Sequence, residues 1–481
     1  MAKSINVPGR RLKSGVGVVL AVSLMTAHPE RGRAQQAPTE DQPAAETNRV
    51  LGDLQPGEPL TLPAAFDFAR LNSPDLLTDR NNIQRAKLNR ENVDALYFPD
   101  FILKVAGNKT SGNVDANQND TNANQGDDQN RFFTELKIEL PFWQKAGLLK
   151  DEQAARKDIV LQEAILEDSD LNLQKSVYQT YLSLVTEEKK LRISRVILNV
   201  IRDNRDAMRE AVRLGNASMS DLLAQENWYL QQQLEVQDAE QTVREQRDAL
   251  TKLTGLERQN RAVCEDVLGM EVFDPAAASF EEAIMQQTRQ INIKIDRQII
   301  EKEKAGQLWK PKLSLRGFYN YQKGGQNGSG NGNGNTSTDQ DFGGGGIELE
   351  IPFPNYTAAS AQERIALQDL SALYENREQT KLSTERRLMA LQSDLGETMR
   401  RISQREEMMK TEEQQVKLAW DSYWLGQTTL ETVKLTENTL ERTRKQYLDS
   451  IYQYAVTIAD IRNLLGQAIP LSAACSRTIS E

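Results

Sequence analysis

One feature constrains this chain more than its length does: it repeats itself at a fixed offset. Glu139-Leu140-Pro141-Phe142 returns as Glu350-Ile351-Pro352-Phe353, 211 residues further on. Leu214-Gly215 returns as Leu425-Gly426 at the same offset, and Leu253-Thr254-Gly255 returns as Leu464-Leu465-Gly466. Phe98-Pro99 has a looser echo in Lys310-Pro311, at 212. Four landmarks in one order at nearly one offset mark a tandem duplication. The first repeat covers 59–270 and the second 277–470, followed by a tail over 471–481. Whatever the fold is, it is built twice from the same parts.

Each repeat follows one plan. A helix opens it, Leu62 to about Leu96 and Phe280 to about Leu308, and Pro99 or Pro311 then starts an extended segment. In the first repeat Phe101, Leu103 and Val105 alternate with Ile102, Lys104 and Ala106, and Leu136, Ile138 and Leu140 alternate with Glu135, Lys137 and Glu139. In the second, Leu313, Leu315, Gly317, Tyr319 and Tyr321 share one face, and Ile347, Leu349 and Ile351 alternate with Glu348 and Glu350. The strands are expected near 99–107, 132–141, 311–321 and 346–352, joined by polar loops rich in Asn and Gly. Alternation of period two over about ten residues is the signature of a membrane barrel strand. Phe98, Phe132, Phe133, Phe142, Trp143, Trp309, Tyr319, Tyr321, Phe342 and Phe353 gather there, as interfacial girdles would. A soluble hairpin with one wet face is the alternative.

No proline occurs between Pro141 and Pro275, or between Pro354 and Pro470. Leu166, Leu173, Val177, Tyr181, Leu184 and Leu191 recur at coiled-coil spacing. Trp143 to Leu214 as one helix is about 72 residues, or ~107 Å. The pattern breaks at Gly215, which suits a left-handed helix terminus, and Ser218-x-x-Asp221 can cap the next helix. Gly426 and Thr428-x-x-Glu431 are expected to act likewise in the second repeat. Each repeat thus contains a helical hairpin with one very long arm. The opening helix and the return arm, Ser218 to Leu253, stacked end to end, match that arm in length. The expectation is a cylinder of helices with strands at one end and turns at the other.

Lys3, Arg10, Arg11 and Lys13 precede an apolar run from Gly15 to Ala27, and Gly32 and Ala34 flank Arg33. This is the order of a secretory signal, read as 1–34, with a flexible linker over 35–58. Its loss removes six basic residues and one acidic residue, taking the formal charge from −10 to −15, which disfavours nucleic acid as a partner. Only 38% of residues are hydrophobic and 27% are charged, so a large dry core is not expected. The single histidine, His28, falls in the signal, so a mature chain would lack the imidazole of a Ser-His-Asp or Cys-His site. An enzyme is not expected, and no cofactor or metal site is implied. The glycines of 324–346 lack the Gly-Lys-Ser/Thr of a phosphate loop, and Asp115-x-Asn117-x-Asn119 meets Gly126 rather than Glu at the twelfth calcium-loop position.

No stretch after the signal is apolar for 18 residues, so any membrane insertion must be as a barrel. Four strands cannot close one. Two copies give eight strands and a filled interior, and three give twelve and a lumen. Glu135, Lys137, Glu139, Glu348 and Glu350 would then face water and the alternate residues lipid. Cys264 and Cys475 each follow a repeat glycine, Gly255 or Gly466, by nine residues. They are either two unrelated buried thiols or a bridge tying the halves at the equator.

These residues resemble the TolC-type outer-membrane efflux channels over nearly all of the mature chain. The likeness rests on Leu60 to Pro99, the tip "RLGNASMSDLL" from Arg213, "LTG" at 253–255, "WKPKLSL", "IPF", the tip "YWLGQTTLETV" from Tyr423 and "LLG" at 464–466. The resemblance implies a mainly α fold with a β-barrel portion. Tandem long hairpins form an α-barrel, and four strands per protomer enter a twelve-stranded barrel of a homotrimer. It implies an outer-membrane location with a long periplasmic extension, lipid contact, a periplasmic adaptor (membrane fusion protein) and an inner-membrane pump. The function implied is a passive exit duct for tripartite efflux or type I secretion; the rival reading is a periplasmic coiled-coil scaffold. Matched on the tip glycines, Ser220 and Asp221 fall on polar gate partners and Tyr423 on the hydroxyl partner. The family's arginine falls on Thr428, and its two acidic ring positions fall on Thr432 and Leu435, beside Glu431. The resemblance therefore also implies an altered lock at the tip.

Overall fold

The computed structural model describes residues 60–110, 129–140, 145–256, 263–264, 273, 278–305, 312–324, 339–350 and 356–470. The signal, the linker, the tail, Pro141 to Trp143, Trp309, Phe353 and Cys475 lie outside them.

The first half opens with α1 (Leu62–Asn72) and α2 (Pro74–Ala95), followed by β1 (Asp100–Thr110) and β2 (Gln129–Leu140). The hairpin α3 (Lys145–Arg213) and α4 (Met219–Thr254) completes it. The second half runs α5 (Phe280–Ala305), β3 (Lys312–Gly324), β4 (Asp339–Glu350), α6 (Tyr356–Trp424) and α7 (Leu430–Leu464). Both long helices have 69 residues, about 104 Å.

The single opening helix expected over Leu62–Leu96 is divided. Pro74 has no N–H to continue α1, and it starts α2 at the position where that donor is not needed. Ser73 caps the new start, its Oγ accepting from the Leu76 N–H at 3.4 Å. The break lets α1 turn into the core, where Leu62, Phe68 and Ala69 are fully or almost fully buried. Both α2 and α4 pack along α3. They meet at α1, where the Asn72 Nδ2 donates to the Thr254 carbonyl at 2.7 Å.

Most of the seam expected from coiled-coil spacing lies in the core, with Leu173 partly buried against it and Leu166 half-buried. Val177, Tyr181, Leu184 and Leu191 of α3 bury against Leu62 and Ala65 of α1, Val236, Val243 and Leu250 of α4, and Val263. The second half repeats this with Leu388, Leu395 and Ile402 of α6 against Tyr454, Ile458 and Ile461 of α7. A fully buried aliphatic side chain contributes roughly 1.5–3 kcal/mol. The halves are joined by antiparallel packing of α3 on α5 with charges alternating across it. Lys157 meets Asp296 at 2.7 Å, Arg297 meets Asp158 at 2.5 Å, and Lys150–Glu303 and Lys304–Asp151 extend the series in both polarities.

Candidate channel wall and periplasmic tip

The four strands form one antiparallel sheet in the order β1-β2-β3-β4, so β2 and β3 join the halves while β1 and β4 are free edges. Directly opposed residues share a face. One row runs Lys104, Glu135, Phe318, Gly344, and the next runs Ile102, Lys137, Arg316, Gly346. Glu139 opposes Asp100 and Ser314, which in turn opposes Glu348, and Glu350 opposes Lys312. Glu135, Lys137, Glu139, Glu348 and Glu350 therefore share one face, as the alternation requires. On it Glu135 is buried beneath an ion pair with Arg316.

The other face is apolar and open. Phe101 is 71% exposed and Ile347 74%, and Leu103, Val105, Leu136, Leu315, Tyr319 and Leu349 are exposed with them. Phe342 departs from the expected girdle. It opposes Asn320 on the polar face and packs on Phe318, ring centroids 5.6 Å apart. The reason is local: Gly343 to Gly346 leave the middle of β4 bare, and the Phe318 ring lies over Gly344, where an added Cβ would come within 2.8 Å of Cζ.

At the far end both hairpins turn through the same motif. Gly215 (φ 77) and Gly426 (φ 71) are left-handed, a conformation that only glycine adopts readily. The Asn216 N–H reaches Ala211 O at 2.8 Å and the Gly215 N–H reaches Val212 O at 3.0 Å; Gln427 to Ser422 and Gly426 to Tyr423 repeat the pattern. Ser218 caps α4 through the Asp221 N–H at 3.0 Å. The second cap is shifted from the expected Thr428. Thr429, which stands 211 residues after Ser218, is the cap position, and its hydroxyl meets that of Thr432 at 3.1 Å instead of a backbone N–H. Thr428 is half-buried, and Glu431, Thr432, Leu435 and Ser220 are exposed.

The two turns are joined by a small core of Met208, Leu222 and Leu430, flanked by Trp420 and Tyr423. The Tyr423 hydroxyl donates to the Met208 sulfur at 3.7 Å rather than to Asp221. Asp221 still lies near: burial raises the Tyr423 pKa and the Asp221 charge raises it further. Trp420 stacks on Trp424 with centroids 6.3 Å apart, and its indole N–H donates to Glu437 at 2.6 Å. Neither Met208 nor Glu437 was singled out by sequence reasoning, although adding 211 to Glu226 leads directly to Glu437. Cys264 is buried and disulfide-bonded; its expected partner Cys475 lies outside the described residues.

Among the described residues, no helix is long and apolar enough to cross a membrane, and no cluster of His, Cys, Asp and Glu could hold a metal ion. A search of curated proteins matches no relative. Solved structures give the fold. The chain is similar to CusC, a transmembrane channel, at 18% identity and a TM-score of 0.68, over 85% of this chain and 92% of that one. It is similar to the Campylobacter jejuni CmeC outer membrane channel at 16% identity and a TM-score of 0.65, covering 86% and 87%. The open state of the Neisseria gonorrhoeae MtrE outer membrane channel is similar at 15% and 0.65, covering 85% and 89%. The duplicated hairpins and the two-faced sheet accord with the family described as outer membrane efflux protein, which matches residues 66–256 and 301–467, and the chain belongs to that family.

Proposed function

We propose that three copies of this chain close one twelve-stranded barrel in the outer membrane and continue it into a periplasmic tunnel of helices. The assembly is a passive exit duct, working with a periplasmic adaptor and an inner-membrane pump in tripartite efflux or type I secretion. The observation that carries this reading is the sheet. One face is lined by Glu135, Lys137, Arg316 and Glu348, the other exposes Phe101, Leu103, Ile347 and Leu349, and β1 and β4 are unpaired edges.

An apolar face so exposed is costly in water, at about 25 cal/mol per Å² of apolar surface, and stable in lipid. Free strand edges are not tolerated in hydrocarbon, so the sheet must close on further copies. Three sheets of four leave an open lumen, whereas two leave an interior filled by side chains. In the closed barrel the five acidic and basic positions face water. The tip, with Gly215, Ser220, Asp221, Tyr423, Gly426, Thr428 and Glu431, is then the periplasmic gate and docking end. Its lock is the Met208–Tyr423 contact and the surrounding aromatic cluster, in place of an arginine ion pair.

The test is single-channel recording of the purified protein in planar bilayers after its mass in detergent has been measured. A trimer with discrete conductance is expected. A soluble helical oligomer that never inserts would discard the duct in favour of a periplasmic coiled-coil scaffold.

A further inference from the structure

The duplication lets each half serve as a control for the other. In the first tip, Arg209 of α3 pairs with Glu226 of α4, Nη2 to Oε1 3.0 Å. The residues 211 further on are Trp420 of α6 and Glu437 of α7. There too a side-chain N–H reaches Oε1 of the carboxylate, but the donor is the neutral indole of Trp420, at 2.6 Å. The hydrogen bond is retained and the counter-charge is gone.

The surroundings do not replace it. The second oxygen of Glu437, Oε2, is buried without a partner. On its own helix the facing charge is Glu441, one turn on and of like sign. Glu441 is itself engaged, by Lys445 at 2.7 Å, by Ser194 of α3 at 3.3 Å and by Gln232 of α4 at 3.2 Å, and Lys445 also pairs with Glu235. From α6 the facing group is Trp420. Glu412, about two turns before Trp420 in α6, is a carboxylate turned to Thr443 at 3.2 Å. Among the described residues the charge acting on Glu437 is thus the repulsive one.

We propose that Glu437 is a proton-operated latch of the tip: as a neutral acid it holds α7 against α6, and on releasing its proton to water it loosens them. The latch acts on the gate proposed above and rests on that reading for its role, though not for its chemistry. A buried carboxylate with one oxygen unbonded is disfavoured far more than the neutral acid. Burial accordingly raises the Glu437 pKa; the Trp420 bond lowers it, and the Glu441 charge raises it again, leaving it above the usual glutamate value. The packed state therefore favours the protonated form. Its contribution is greatest in acid and is lost as pH rises through the raised value. The tip closes in acid and loosens as pH rises through that raised value.

The test is hydrogen exchange on the full-length purified protein in detergent, between about pH 5 and about pH 8, corrected for the intrinsic pH dependence of exchange. Protection of 414–440 is expected to fall roughly threefold or more as pH rises, while 203–229, carrying the Arg209–Glu226 pair, stays level. Glu437→Gln is expected to keep 414–440 protected at every pH. Trp420→Arg, which rebuilds the pair of the first tip, is expected to move the transition to lower pH. Equal pH slopes for 414–440 in the original chain and in Glu437→Gln would overturn the latch. Failure to form channels at any pH would instead count against the duct and leave the exchange result standing.

Discussion

The Tyr181 hydroxyl donates to the Leu60 carbonyl at 2.7 Å and accepts the Cys264 N–H at 2.8 Å, holding two distant backbone segments in the equatorial core with one oxygen. Leu60 and Val263 form a parallel β-bridge beside it. Tyr181→Phe leaves both backbone groups buried and unpaired, at a cost of about 2–4 kcal/mol. A lower thermal midpoint and faster amide exchange at Cys264 are the expected readouts. Burial raises the Tyr181 pKa well above the usual tyrosine value, so no phenolate absorbance from it should develop at pH 10 while the protein stays folded.

Cys264 is expected to be bridged to Cys475. Mass analysis of the unreduced, denatured chain should find no free thiol and a cross-linked peptide containing both residues. Reduction should add about 2 Da. A thiol at Cys475 that reacts before reduction would exclude the pairing.

The four left-handed glycines predict two sizes of effect. At Gly215 and Gly426 nothing lies within 4 Å of an added Cβ, so Gly→Ala carries only the backbone term, about 1–2 kcal/mol. At Gly255 the same methyl would come within 2.8 Å of Asn72, and at Gly466 within 2.5 Å of Gln286. Gly255→Ala and Gly466→Ala should therefore lower the unfolding midpoint more than Gly215→Ala and Gly426→Ala.

The charges between α3 and α5 are half-exposed, Lys157 at 40% and Asp296 at 51%, so each pair alone is worth at most about 1 kcal/mol. Their alternating polarity sets register. Lys157→Asp should lower the midpoint measurably in low salt and by less in 0.5 M salt, and Asp296→Lys in the same chain should recover most of the loss. A double-mutant cycle measures this.

On the polar face of the sheet, Gly344→Ala would force the Phe318 ring off β4. If the barrel reading holds, conductance should change with this substitution and change less with Phe318→Ala/Gly344→Ala, where the obstructing ring is absent. Single-channel recording tests both.

Much of this architecture was legible because period and punctuation agree. The long helices end within two residues of where Gly215 and Gly426 place them, and the strand faces follow from alternation alone. Other features were not. The break at Ser73-Pro74 looks like a minor irregularity in the opening helix, and only the burial of Leu62, Phe68 and Ala69 shows why the chain turns there. Thr428 and Thr429 are adjacent, and the offset from Ser218 distinguishes them where a capping pattern does not. Phe342 stands before the strand expected at 346–352, in a glycine-rich stretch read as loop, and only its pairing with Asn320 shows that β4 begins as early as Asp339. The tip core of Met208, Leu222 and Leu430 joins positions more than 200 residues apart, beyond the reach of any local periodicity.

Gly343 to Gly346 occupy β4, one of the two edge strands that neighbouring copies would extend if the barrel reading holds. Over that stretch the strand offers a neighbour its peptide groups and almost no side chains, so a joint made there would be non-selective in shape and dependent on alignment. On that reading, selectivity between copies would fall to the helices that continue from the sheet. Assembly would proceed like a zip fastener drawn from its helical end, with the bare strand closing last and following a match already made.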